Sequence, residues 1–330
     1  MRSPASLGRR ILSAWMTFWF GLPTHRALLA LLRIGTALVL LYVLFVRSFD
    51  LDAEFSRVVW ADPALGRSLD GIAWPFSVFT WFGSPGWLWS MHVLALVAAT
   101  AFLVGLLTPL TAALSLVFQL SYAHQNPVML LGLDGLLMLA LFYLSLVPSG
   151  RVLGVFGKVE PERPRFPPYL AYLEDELPRP EPGLRWSGLV LRVLQLHLCL
   201  LYFLSALGKL STDWLAGIAL WHPRLVELGA PYAVASLLAH PYLTSLVTYP
   251  LVLFELFYGV LIWIPSLRYV MLALALVVHL TVGFAWGLLP FNLMMIVLNL
   301  AFVPPSHLES LLRAVRPLLL PPWLATGRGE

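Results

Sequence analysis

Cysteine occurs once in the 330 residues, at Cys199, which excludes an internal disulfide and a thiolate metal cluster. Charged residues are scarce as well. They make up 12% of the chain, against roughly a quarter in ordinary soluble domains. No His-x-x-x-His pair, Gly-rich phosphate loop, nucleophile elbow or redox pair of cysteines is present, so a metal site is not expected and the corresponding chemistries have no footing. The basic N-terminus lacks a small-residue cleavage site, and Trp15, Phe18, Trp19 and Phe20 suit an interfacial helix better than a signal peptide. There is no internal repeat and no low-complexity run, which argues against a transporter built from duplicated halves.

What the chain does have is apolar surface. Hydrophobic residues make up 59% of it, in long runs separated by connectors rich in Arg and Pro. That pattern predicts an all-α, polytopic transmembrane helical bundle. Eight membrane segments are expected, at about 27–46, 87–107, 109–123, 128–147, 189–208, 243–264, 269–289 and 291–303, the third and eighth being short. Breakers mark the joints at Thr108-Pro109, Asn126-Pro127, Pro148-Ser149-Gly150, Pro265 and Pro290. The organisation that follows is an N-terminal interfacial helix (1–26) and a first four-segment half (27–150) with an outer loop at 47–86. A Pro-rich cytoplasmic linker (151–186), a second four-segment half (187–304) and a cytoplasmic tail (305–330) complete it.

Lysine and arginine set the orientation. With a cytoplasmic N-terminus, fourteen basic residues fall on the inner side and five, among them Lys209, on the outer side; Arg33 and Arg192 lie within segments. This bias explains the net charge of +4 without nucleic acid, and both termini are expected in the cytoplasm of a bacterial inner-membrane protein.

Charges in hydrocarbon are costly. Arg33, Asp134, Arg192 and Glu255 fall inside apolar segments as buried structural charges: Arg33 reads as packed or snorkelling, charge-paired bridges are the plain expectation for Asp134 and Glu255, and His92 and His197 read as hydrogen-bonded core histidines. The outer ends differ. His124, Gln125 and Asn126 form one polar turn, Lys209 and Trp214 end the fifth segment, His279 lies within the seventh, and Asn292 begins the eighth. A lysine at such a depth either snorkels to the headgroups or stands at a poorly solvated pocket as a usable base. Spacing alone leaves both open.

Four stretches resemble a known family. These are LLRIGTALVLL around Arg33, HQNPVMLLGLDGLLMLALFYLSLVPSG with Asp134, and LQLHLCLLYFLSALGKLSTDWLAGIALWHP with Tyr202, Lys209, Trp214 and Gly217. The fourth is FELFYGVLIWIP with Glu255, followed by VVHLTVGFAWGLLPFNLMM with His279 and Phe291. Together they resemble the HTTM family, the membrane domain shared with vitamin K-dependent gamma-carboxylase. The resemblance implies that Lys209 is the catalytic base that deprotonates a quinol of the vitamin K or menaquinone type. In the carboxylase, the oxygenated quinone then removes a proton from a substrate glutamate before CO2 adds. It further implies that His279 lines the same cavity and that His124 and Asn126 face the quinol. The carboxylase motif has two adjacent lysines, and here the first is Gly208. Its large lumenal, substrate-binding portion has no counterpart in this sequence, so the expected target is a small molecule or an exported peptide. The rival expectation is a non-catalytic lipid or quinone binder, or a membrane partner of an exported toxin, with Lys209 and the HQN turn recognising a headgroup.

Overall fold

A computed structural model describes residues 15, 18–19, 26–55, 76–82, 84–126, 132–150, 153–154, 182–217 and 241–304. Most of the expected interfacial helix, linker and tail, and the connector at 218–240, in which His222 falls, lie outside the described residues. Among the described residues the regular elements are helices: α1 (Arg26–Arg47), α2 (Leu51–Phe55), α3 (Pro85–Leu103), α4 (Thr108–Gln125) and α5 (Gly132–Ser145), then α6 (Pro182–Gly208), α7 (Thr212–Leu215), α8 (Pro241–Leu261), α9 (Pro265–Ala285) and α10 (Leu289–Asn299). Short 3₁₀ turns stand at Val78–Thr80 and Leu300–Phe302.

Each of the eight expected segments coincides with one helix, but not all have the length and composition of a membrane span. Five do: Ala27–Arg47, Pro85–Leu103, Trp186–Gly208, Thr244–Leu261 and Pro265–Ala285. Gly132–Ser145 and Leu289–Phe302 are apolar but shorter than the roughly 20 residues a bilayer core demands.

The prolines start helices more often than they end them. Pro85, Pro109, Pro265 and Pro290 all sit in a first turn, where the missing N–H has no intrahelical partner to lose. Ser84 caps α3 by accepting from the Trp87 backbone N–H at 3.2 Å. Between α3 and α4 the chain turns through Gly105 (φ 81°) and Leu107 (φ 43°), so α3 stops at Leu103, four residues before the expected end.

In the first half α1, α3, α4 and α5 pack on one another, and in the second α6 pairs with α8 and α9 with α10. The last helix joins the halves, because α10 also lies against α1 and α5. At that crossing a Cβ on Gly35 would sit 2.6 Å from Val297, so the glycine is what lets α1 and α10 approach. Arg33, two residues earlier and fully buried, donates to the backbone carbonyls of Ser149 (3.3 Å) and Leu153 (2.5 Å). It thereby fastens α1 to the chain that leaves α5.

Gly35→Ala should lower stability by about 1–3 kcal/mol, the usual cost of overpacking a tight contact. Gly135→Ala, whose added methyl would meet nothing within 4 Å, should not. Thermal unfolding in detergent of these two variants and of G35A/V297A checks the point, and the double variant should recover most of the loss.

Candidate functional site

The polar side chains sort into two sets, one in each half. In the first half Arg47, at the end of α1, donates to Asp134 Oδ1 at 2.6 Å and to Gln119 Oε1 at 3.2 Å, and Gln119 Nε2 donates to the same Asp134 oxygen at 2.5 Å. The guanidinium also lies over the Tyr122 ring, 4.7 Å from its centroid. His92, fully buried, bonds Tyr122 Oη at 2.6 Å through Nδ1 and Ser48 Oγ at 2.8 Å through Nε2. Ser48 Oγ donates to the Leu44 carbonyl, so it accepts from His92 Nε2–H and leaves Nδ1 to accept from Tyr122. His92 is thus a satisfied core histidine and Asp134 a structural charge, with Arg47 as its partner.

The HQN turn belongs to this first half. His124 Nδ1 bonds the Phe76 carbonyl at 2.8 Å, Gln125 donates to the Phe55 carbonyl at 3.1 Å and Asn126 to the Glu54 carbonyl at 2.8 Å. Three consecutive side chains therefore clasp the backbone of the outer loop. The hydrogen bonds of His124 and Asn126 go to that loop and not to Lys209.

The second half holds the other set, built on one face of α6. Tyr202, Ser205 and Lys209 stand at spacings of three and four and so project to the same side. Lys209 Nζ donates to Glu255 Oε2 of α8 at 2.6 Å and to Ser205 Oγ at 2.5 Å, with a longer contact to the Ser205 carbonyl at 3.5 Å. It also lies 5.4 Å from the Trp214 ring centroid. Trp214 and Val282 in turn pack on Ala285 and Trp286 at the end of α9, so that the Trp214 indole is held over the ammonium. The lysine and glutamate side chains keep only 18% and 13% of their surface accessible.

One helical turn and more toward the middle of α6, Tyr202 opens a hydrogen-bonded chain whose direction the partners fix. Asn292 Nδ2 donates to the Leu288 carbonyl, so its Oδ1 accepts from His279 Nδ1–H at 2.8 Å. That leaves His279 Nε2 to accept from the Tyr202 hydroxyl at 2.7 Å. Tyr202 Oη itself accepts from Asn299 Nδ2 at 2.8 Å, and Asn299 Oδ1 accepts from Tyr258. Every donor points the same way, from Tyr258 through Asn299, Tyr202 and His279 to Asn292. The chain links α6, α8, α9 and α10, and all five side chains are buried.

The structure thus gathers Tyr202, His279 and Asn292 in one network and Lys209, Glu255 and Trp214 in a second just above it. His124 and Asn126 are placed with the outer-loop clasp. Asp134 and Glu255 each stand in an ion pair, with Arg47 and with Lys209. Arg33 binds carbonyls, and Glu255 is half-buried beside Lys209. Arg192 is half-buried too, donating to Gln195 Oε1 (2.8 Å) and the Phe18 carbonyl (3.0 Å) under the rings of Phe18 and Trp263. Three members of the second-half site were not anticipated: Ser205, Tyr258 and Asn299. Helical spacing carries a signal for each, since Ser205 lies between Tyr202 and Lys209, Tyr258 follows Glu255 by three, and Asn299 follows Asn292 by seven. Among the described residues no group of three or more His, Cys, Asp or Glu could hold a metal ion.

Fold and site together define an all-helical protein whose apolar helices, five of them of membrane-crossing length, enclose polar networks on their facing sides. The part of the chain that builds the lysine site matches a family: residues 185–307 match the HTTM domain. This is the family that the sequence resembles. No curated protein and no solved structure matches the chain.

Asn292→Leu removes the acceptor for His279 Nδ1–H and should cost about 1–3 kcal/mol, the penalty of an unsatisfied buried donor. Nitrogen NMR of His279 should show the Nδ1–H tautomer in the parent protein and its loss in N292L. An Nε2–H tautomer in the parent would overturn the assigned direction of the chain.

Proposed function

We propose that the protein is a multi-pass membrane enzyme in which Lys209 serves as base toward a quinol of the vitamin K or menaquinone type, in the manner of the carboxylase membrane domain that the chain resembles. All eight long helices are membrane segments in this reading, with both termini cytoplasmic and the Lys209 end facing outward in a bacterial inner membrane. The observation that carries it is the half-buried Lys209–Glu255 pair at 2.6 Å within the segment that matches the HTTM domain.

The donor set suits such a ligand. An ammonium is the natural partner of a ring hydroxyl that gives up a proton, and the indole of Trp214, 5.4 Å from Nζ, offers a flat apolar face to a quinol ring. A bound quinol would supply the reducing electrons for oxygen chemistry. Lys209 would hold and move the proton at Nζ, while Trp214 would help keep water from the amine. The product would be an oxidised or carboxylated small target or a matured exported peptide, which makes the activity carboxylase-like, a lyase coupled to quinol oxidation. The Tyr202–His279–Asn292 network sets the floor. Both ring nitrogens of His279 and the Tyr202 hydroxyl proton are already engaged, so these groups would shape and polarise the site rather than react.

A second reading rests on a specific observation: Lys209 already spends its donors on Glu255 and Ser205. A saturated ammonium also suits a non-catalytic lipid or quinone binder, or a membrane partner of an exported toxin. Arginine separates the two, because it can keep an ion pair with Glu255 but does not deprotonate in proteins. Under the enzyme reading, Lys209→Ala and Lys209→Arg both lower the oxygen-dependent consumption of vitamin K hydroquinone by the purified protein at least about 100-fold, the low end of general-base contributions. Retained activity in K209R refutes the base assignment, whereas a parent protein without that activity whose cellular phenotype survives in K209R selects the binder.

A further inference from the structure

We infer that Glu255 is the proton acceptor behind Lys209, so that the working unit is a Lys209–Glu255 pair and not a lone lysine. This rests on the base reading given above for Lys209, and it assigns a role to a glutamate that the sequence presents only as a buried structural charge.

A lysine can act as base only after its ammonium has lost a proton. The groups bonded to Nζ are Glu255 Oε2, the Ser205 hydroxyl and the Ser205 carbonyl. Neither serine oxygen accepts a further proton at neutral pH, whereas a carboxylate oxygen is a Brønsted base. His279 is the other base nearby, but its Nε2 accepts from Tyr202 and its Nδ1–H is given to Asn292. Among the described residues, Glu255 is therefore the partner of Lys209 able to take the proton.

Charge balance points the same way. The pair sits mostly out of solvent, where a net charge is expensive. Releasing the ammonium proton to water would leave an uncompensated carboxylate. Passing it from Nζ to Oε2 instead gives a neutral amine and a neutral carboxylic acid, and the sum of charges stays at zero. When Lys209 then takes a proton from a ligand hydroxyl, Nζ becomes an ammonium again and the ligand oxygen replaces Glu255 as its counterion. The sum is again zero. One O–H bond of the ligand breaks and one O–H bond forms on Glu255, with Lys209 as carrier and no electrons exchanged. The longest of the three Nζ contacts, 3.5 Å to the Ser205 carbonyl, marks the donor that the incoming oxygen would take over. Glu255 acts through Lys209 and touches no ligand in this scheme, so it is a positioning and proton-accepting residue.

The test uses the full chain in lipid nanodiscs with vitamin K hydroquinone, kept free of oxygen so that only proton transfer is read. Infrared difference spectra on adding the hydroquinone should show a carboxylic-acid band growing and a carboxylate band shrinking in the parent, and neither change in Glu255→Gln or Lys209→Met. In air, E255Q should consume hydroquinone at least about 100-fold more slowly, the scale of proton-transfer catalysis. Its hydroquinone affinity, read from quenching of tryptophan fluorescence, should change less than about tenfold, 1.4 kcal/mol. If the parent binds hydroquinone with no acid band, or if E255Q turns over as fast as the parent or faster, Glu255 only pins the lysine and the inference is wrong while the base reading stands. If the parent does not bind hydroquinone at all, the quinol reading fails and the inference fails with it.

Discussion

The contact on which this account depends is the ion pair between Lys209 at the end of α6 and Glu255 on α8. A charge among apolar helices must have a partner, and breaking such a pair leaves the survivor uncompensated at a cost of several kcal/mol. That constraint fixes more than two side chains. It sets the register of α6 against α8, which brings Tyr202 beside Tyr258 with the rings stacked 4.0 Å apart. It also fixes where α7 must return so that Trp214 covers the ammonium.

The same rule operates throughout the bundle, because interhelical hydrogen bonds take over where the hydrophobic effect no longer discriminates between neighbours. The first half satisfies it with Arg47, Asp134, Gln119, Tyr122 and His92, the second with the directed chain from Tyr258 to Asn292. In both halves a tyrosine hydroxyl donates to a neutral histidine that passes its other N–H to an oxygen. The two sets do different work. The first anchors the outer loop through the HQN turn, whereas the second lies under a charged pair that keeps some access to its surroundings.

The helices were largely legible in the sequence, and their partners were not. Apolar runs located all eight long helices, because a helix surrounded by apolar neighbours needs only length and hydrophobicity to be seen. Ends moved where local chemistry decided. Pro265 marks the joint where it was read, but as the opening residue of α9, ahead of the expected start at 269, since proline suits a first turn. The candidate site was legible only as a set of residue types, among them Lys209 where α6 ends and Asn292 where α10 begins. Periodicity says which face a residue occupies but not which helix lies opposite. Glu255 is 46 positions from Lys209 and Asp134 is 87 from Arg47, so neither pairing had a local signal. His124 and Asn126 looked like cavity groups for the same reason: a polar turn at the outer side reads alike whether it faces a ligand or a loop backbone.

A double-mutant cycle on Lys209→Met and Glu255→Gln, read by thermal or denaturant unfolding of the protein in lipid nanodiscs, tests the central contact most directly. A coupling of about 1–3 kcal/mol between the two positions is predicted, the range for side chains in direct contact. Additive effects within about 0.5 kcal/mol, the scatter expected of independent sites, would contradict the pair and with it the account of the site.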